Sequence, residues 1–158
     1  MQKLKIKIIK YPESVLRKKC EEIEKITEEI KELIGDMKRI MIENKGIGLA
    51  APQIGESKRI IVIMTEKGPE AFVNPKIIDK SQETEIMEEG CLSFPGLFFK
   101  IKRAKDIKIK ATNINGNTVE ISADGMLARI FQHEIDHLDG ILFVDRLPFW
   151  QRLKLKIK

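Results

Sequence analysis

The stretch that most constrains this chain is Gln132-His133-Glu134-Ile135-Asp136-His137-Leu138-Asp139-Gly140. On a helix, His133 and His137 lie about 40° apart around the axis and roughly 6 Å apart along it, because four residues make slightly more than one turn. Both imidazoles then face one way and grip a single metal ion. Glu134, one position round from His133, is turned away from being a ligand but stands near enough to handle a water on that ion. The bland alternative is an amphipathic helix with two solvated histidines.

A catalytic site of this kind needs three protein ligands and one open position, so the third ligand decides the matter. The chain has two histidines, both already in the motif. The longer pattern H-E-x-x-H-x-x-G-x-x-H is matched through Gly140 and then puts Phe143 where its last histidine should be. No glutamate follows Glu134. Asp139 belongs to the helix end and Asp145 to an apolar segment, which directs the search upstream. There, within Glu88-Glu89-Gly90-Cys91-Leu92-Ser93-Phe94-Pro95-Gly96, Cys91 is the best remaining donor. With His133 and His137 it makes a Cys-His-His set whose fourth position is open to water.

With 158 residues, 42% of them hydrophobic, the chain is expected to be one catalytic domain over 1–158 with a real core. Two cysteines, Cys20 and Cys91, are too few for a disulfide framework and imply a reducing compartment; Cys20 reads as a small buried hydrophobe. The opening Met1-Gln2-Lys3-Leu4-Lys5-Ile6-Lys7-Ile8 alternates charge with aliphatic residues, unlike a secretory signal, and no apolar run approaches membrane-spanning length. A cytoplasmic protein without membrane attachment is expected. The net charge of +5, with 34% of residues charged, reads as a solvated Lys/Glu surface, and no specific nucleic acid is expected. The basic residues 151–158 read as a terminal strand or fraying helix ahead of an RNA contact.

Period-two patterning predicts strands at 3–9, 59–64, 71–78, 97–101, 106–112 and 119–122, with a hairpin at Asn115-Gly116. Residues 12–19 form a short helical turn. A helix over 27–44 carries Ile30, Leu33, Ile34, Met37, Ile40 and Met41 on one face, is capped by Thr27 and is stopped by Gly46. A second helix runs from a cap at Asp124 to about Leu138, with Gly140 just past its end. Residues 46–55, small and apolar, are either a tight loop or a segment that a second backbone approaches closely. The order predicts an α+β fold, with mixed or antiparallel sheets around a central H-E-x-x-H helix.

Three segments together, Gly-Ile-Gly-Leu-Ala-Ala-Pro-Gln (46–53), Glu-Gly-Cys-Leu-Ser (89–93) and Gln-His-Glu-Ile-Asp-His (132–137), resemble the three motifs of the peptide deformylases, in that family's order. The likeness spans about 11–147. It implies hydrolysis of the formyl group from N-formyl-methionyl nascent polypeptides, releasing formate. Carried over, Cys91, His133 and His137 hold one divalent ion, Glu134 is the general acid/base, and Gln53 with the backbone N–H of Leu92 forms an oxyanion hole. Ile47, Gly48 and Gly90 pair with the substrate backbone. Ile47, Met87, Met126 and Ile130 line a pocket for the methionine side chain. Arg103 pairs with Glu89 in a supporting role. The resemblance implies Fe2+, with Zn2+, Ni2+ and Co2+ as alternatives for this donor set.

Two departures stand out. Arg129, one turn before His133, occupies a position many members fill with an apolar pocket residue. It either snorkels outward along its stem or binds the substrate backbone, standing in for an arginine that some relatives have where this chain has Phe98. The chain also stops soon after Trp150, without the long C-terminal helix some relatives use near the ribosome, which leaves a transient ribosome contact as an open expectation. Competing readings are a metallopeptidase, a cysteine hydrolase using Cys91 and His133 without metal, and a metal-stabilised RNA-binding module.

Overall fold

Ile60-Ile61-Val62-Ile63-Met64 is an uninterrupted apolar run, the pattern of a strand covered on both faces. The computed structural model, which describes residues 5–156, places it so. A five-stranded sheet has the order β1 (Gly48–Ala50), β2 (Ile60–Thr65), β3 (Gly68–Lys80), β6 (Asp106–Thr112) and β7 (Thr118–Asp124). Helix α1 (Glu28–Glu43) packs on one face, its Ile34, Met37 and Met41 against Ile60 and Val62. Helix α2 (Gly125–Leu138) packs on the other, its Phe131, Ile135 and Leu138 against Ile61 and Ile63. Burying each of these isoleucines contributes about 2 kcal/mol.

A separate antiparallel hairpin, β4 (Thr84–Cys91) with β5 (Phe94–Ala104), lies on the opposite side of α2. Phe94 and Ile101 of the hairpin close a third cluster with Leu16, Phe143, Val144 and Leu147. Helix α2 is thereby enclosed between the sheet and the hairpin, the central position expected for it. Among the described residues all paired strands are antiparallel, and the one parallel element is an isolated bridge between Glu21 and Lys58. No helix of the described residues is long and apolar enough to cross a membrane.

Several expected boundaries move. Thr27 caps α1, its hydroxyl accepting from Ile30 N at 3.3 Å. The left-handed residue that ends α1 is Lys45 rather than a glycine, and Gly46 N closes the turn onto Met41 O. Asp124 occupies the cap position of α2 without a side-chain capping bond. Of the strand expected at 3–9, residues 3–4 lie outside the described residues and 5–9 have no regular structure. Ile9 N donates instead to Gln53 O, and Tyr11 N donates to Ser93 O. The whole of β4 was not anticipated. The basic C-terminal stretch forms helix α3 (Phe149–Leu155), and residues 157–158 lie outside the described part. Cys20 is buried, and that burial pushes its thiol up to about 11, as suits a small hydrophobe.

Candidate metal centre and active site

Three elements deliver the site. Helix α2 brings His133, Glu134 and His137 onto one side; β4 ends at Cys91; and the chain after β1 turns through a 3-10 helix, Ala51–Ile54, that carries Gln53. The ligand atoms of Cys91, His133 and His137 lie within 4.8 Å of one another. Cys91 Sγ is 3.4 Å from His137 Nε2, and the two imidazole rings are 5.2 Å apart. One sulfur and two imidazoles converging on one point fit a divalent transition metal with a remaining open position.

The support around these ligands is electrostatic. His133 Nδ1 lies 2.8 Å from Glu89 Oε1, which leaves Nε2 as the ring nitrogen for a metal. Glu89 also accepts from Arg103 Nε and Nη2 at 2.6 and 2.9 Å, and from Arg129 Nη1 at 2.6 Å. Arg103 Nη1 reaches on to Asp136, which Arg146 holds from outside. Burial alone would push the Glu89 carboxyl up, but hydrogen bonds from His133 and Arg103 outweigh it and hold it at about 2. Burial keeps His137 well below its ordinary value, in the neutral form a metal requires. The expected pairing of Arg103 with Glu89 is therefore present, inside a longer chain of alternating charge.

Glu134 is 3% exposed, and burial pushes its carboxyl up to about 7. It stands against the backbone of β1: a Cβ at Gly48 would lie 2.8 Å from Glu134 Oε2, so a side chain there would push the carboxylate aside. Gln53 is also buried, its Oε1 accepting from Ala50 N at 3.0 Å while its Nε2 lies 3.6 Å from Cys91 Sγ. Leu92 sits in the turn between β4 and β5.

Cys91, His133 and Glu134 open onto a cavity of about 480 Å³ whose walls include Ile47, Gly48, Gly90, Met126 and Ile130. Met87, expected in that wall, is not part of it; it lies half-buried on β4, opposite Ile101. Leu97 and Phe98 are in the wall instead. Phe98 pairs with Gly90 across the hairpin, and a Cβ there would meet its ring at 2.7 Å. Arg129 does not snorkel outward along its stem. It borders the cavity, yet it is 4% exposed and its guanidinium is taken up by Glu89, Ile101 O at 2.8 Å and Glu85 O at 2.7 Å. It ties both strands of the hairpin to α2 rather than reaching outward.

An H-E-x-x-H helix with a Cys-His-His ligand set, a buried carboxylate and an adjoining apolar cavity defines a metal-dependent hydrolase. Over residues 5–152 the chain matches the family described as Polypeptide deformylase. It is 50% identical over 135 residues to peptide deformylase 1 of Clostridium perfringens, covering 84% of this chain and 91% of that one. The crystal structure of the peptide deformylase from Thermotoga maritima superposes with a TM-score of 0.88 at 45% identity, over 90% of this chain and 97% of that one. The Ehrlichia chaffeensis enzyme in complex with actinonin superposes at 0.89 with 41% identity, over 96% and 95%. The chain belongs to the peptide deformylase family, metal-dependent hydrolases that remove the N-formyl group from nascent polypeptides, and that is its function.

Proposed function

We propose that Cys91, His133 and His137 hold the metal and that the residues around them divide the work of deformylation as follows. When bound, a divalent ion supplies Lewis acidity, which lowers the pKa of a water to about 7. Glu134 takes a proton from water attacking the formyl carbon and returns it to the departing amine nitrogen. A carboxyl poised near 7 by burial is matched to both halves of that task. Gln53 Nε2 and the backbone N–H of Leu92 donate to the formyl oxygen as charge gathers on it, each worth roughly 3 kcal/mol. Ile47, Gly48 and Gly90 pair with the peptide backbone. Ile47, Met126 and Ile130, joined by Leu97 and Phe98, receive the methionine side chain.

The convergence of three ligand atoms beside Glu134 and Gln53 carries this reading. The resident metal is Fe2+, in a single catalytic domain that works in the cytoplasm on formyl-methionyl chains, with at most transient ribosome contact. Actinonin, which the Ehrlichia chaffeensis relative binds, is expected to bind this chain as well, in the cavity beside the three ligands. The test is turnover of protein purified without oxygen and loaded with Fe2+ or Zn2+. Faster turnover with iron, blocked by actinonin, is expected; equal turnover with zinc contradicts the assignment of iron.

A further inference from the structure

Gln53 is fixed at both ends. Its main-chain oxygen accepts from Ile9 N at 2.7 Å, and its Oε1 accepts from Ala50 N at 3.0 Å. The second contact decides which end of the amide is nitrogen, because the oxygen must face the Ala50 N–H. The NH2 group then faces Ser93 and Cys91, donating to Ser93 Oγ at 3.1 Å and lying 3.6 Å from Cys91 Sγ. Ser93 is fully buried, and its hydroxyl donates its single hydrogen to Ile9 O at 2.7 Å. With that hydrogen committed, Ser93 Oγ meets Gln53 only as an acceptor.

We infer that Ser93 is a positioning residue for Gln53, occupying one amide hydrogen so that the other is presented on the Cys91 side, where the formyl oxygen gathers charge. The relay runs from Gln53 N–H to Ser93 O–H to Ile9 O. It draws residues 9–11 into the site, since Tyr11 N also holds Ser93 O at 3.0 Å. Residues 9–11 direct their hydrogen bonds to the 3-10 helix that carries Gln53 and the turn that carries Ser93, and not to a strand ladder. Preorganised donors of this kind act by needing no reorientation as the reaction proceeds. A purely structural Ser93 would satisfy Ile9 O and do nothing to Gln53.

The inference rests on Gln53 being the oxyanion donor, so the test is a double-mutant cycle in the metal-loaded full chain. Gln53→Ala, Ser93→Ala and the double variant are compared for kcat, KM and metal affinity on a formyl-methionyl peptide. Ser93→Ala is expected to lower kcat about tenfold, with KM and metal affinity within about twofold. In the Gln53→Ala background the same change is expected to alter kcat less than about twofold. Ser93→Thr, which keeps the hydroxyl, should restore most of the rate. Should Ser93→Ala fail to fold, Ser93→Cys, with a weak sulfur acceptor of similar size, is read in the same cycle. Losses that multiply in the double variant, or an unaltered kcat in Ser93→Ala, overturn the inference. Full turnover in Gln53→Ala alone overturns the oxyanion assignment, and the inference with it.

Discussion

His133 Nδ1 and Glu89 Oε1 meet at 2.8 Å where α2 crosses β4, so the carboxylate that orients one ligand belongs to the strand that delivers another, Cys91. The ordinary carboxyl value is 4.5, and hydrogen bonds from His133 and Arg103 overcome burial to hold Glu89 at about 2. A depressed carboxyl stabilises the fold fully above its unfolded value and loses that contribution as pH falls through the folded one. Urea unfolding of the metal-free protein should therefore lose about 3 kcal/mol between about pH 5 and about pH 2, and Glu89→Gln should flatten this limb. Identical acid limbs in the two proteins would contradict the assignment.

Glu134 has the opposite sign. Its carboxyl is raised to about 7 by burial, so folding bears the cost of its charge above that pH and escapes it below 4.5. Glu134→Gln in the metal-free protein should be more stable than the parent by about 2 kcal/mol at about pH 8, with the gap closing towards about pH 4. The loaded variant should retain metal while kcat falls roughly 10²- to 10⁴-fold. Thermal unfolding at the two pH values, with kcat and metal content, checks both halves.

At Gly48 an added methyl would meet Glu134 Oε2 at 2.8 Å and Cδ at 3.0 Å. Gly48→Ala should displace the carboxylate and lower kcat by roughly 10- to 100-fold, leaving metal content unchanged. Unaltered kcat would show that Glu134 is free to move aside.

Arg129 gives the clearest separation of stability from substrate binding. Arg129→Leu removes a donor from the buried Ile101 O and Glu89 carboxylate and from the part-buried Glu85 O. A loss of about 3 kcal/mol is expected, with KM for formyl peptides within about twofold of the parent. Raised KM with unchanged stability would return Arg129 to substrate contact.

What could be read from the sequence tracks where physics is local. The i, i+4 histidines, the Thr27 cap and the Asp106–Thr112 strand follow from spacing alone, and all appear. Strand β4 was missed because its one fully buried position is Glu89, whose partners Arg103, Arg129 and His133 are far along the chain. Hydropathy counts such a carboxylate as exposed. Residues 5–9 mimic a strand because Lys and Ile alternate, yet Ile9 bonds to Gln53 and Ser93 and not to a ladder. The same limit hid Ser93, whose neighbours Gln53 and Ile9 lie 40 and 84 positions away. Leu97 and Phe98 gave one signal that was available: a run of apolar residues directly after the glycine-bearing motif that ends at Gly96.

The most direct measurement is mass spectrometry of a formyl-methionyl tripeptide incubated with anaerobically purified, Fe2+-loaded protein, with and without a chelator. The account predicts loss of the formyl group alone, with formate released, abolished by chelation and by Glu134→Gln. An intact formyl group beside a cut peptide bond, or deformylation that persists in the chelated protein, would contradict it.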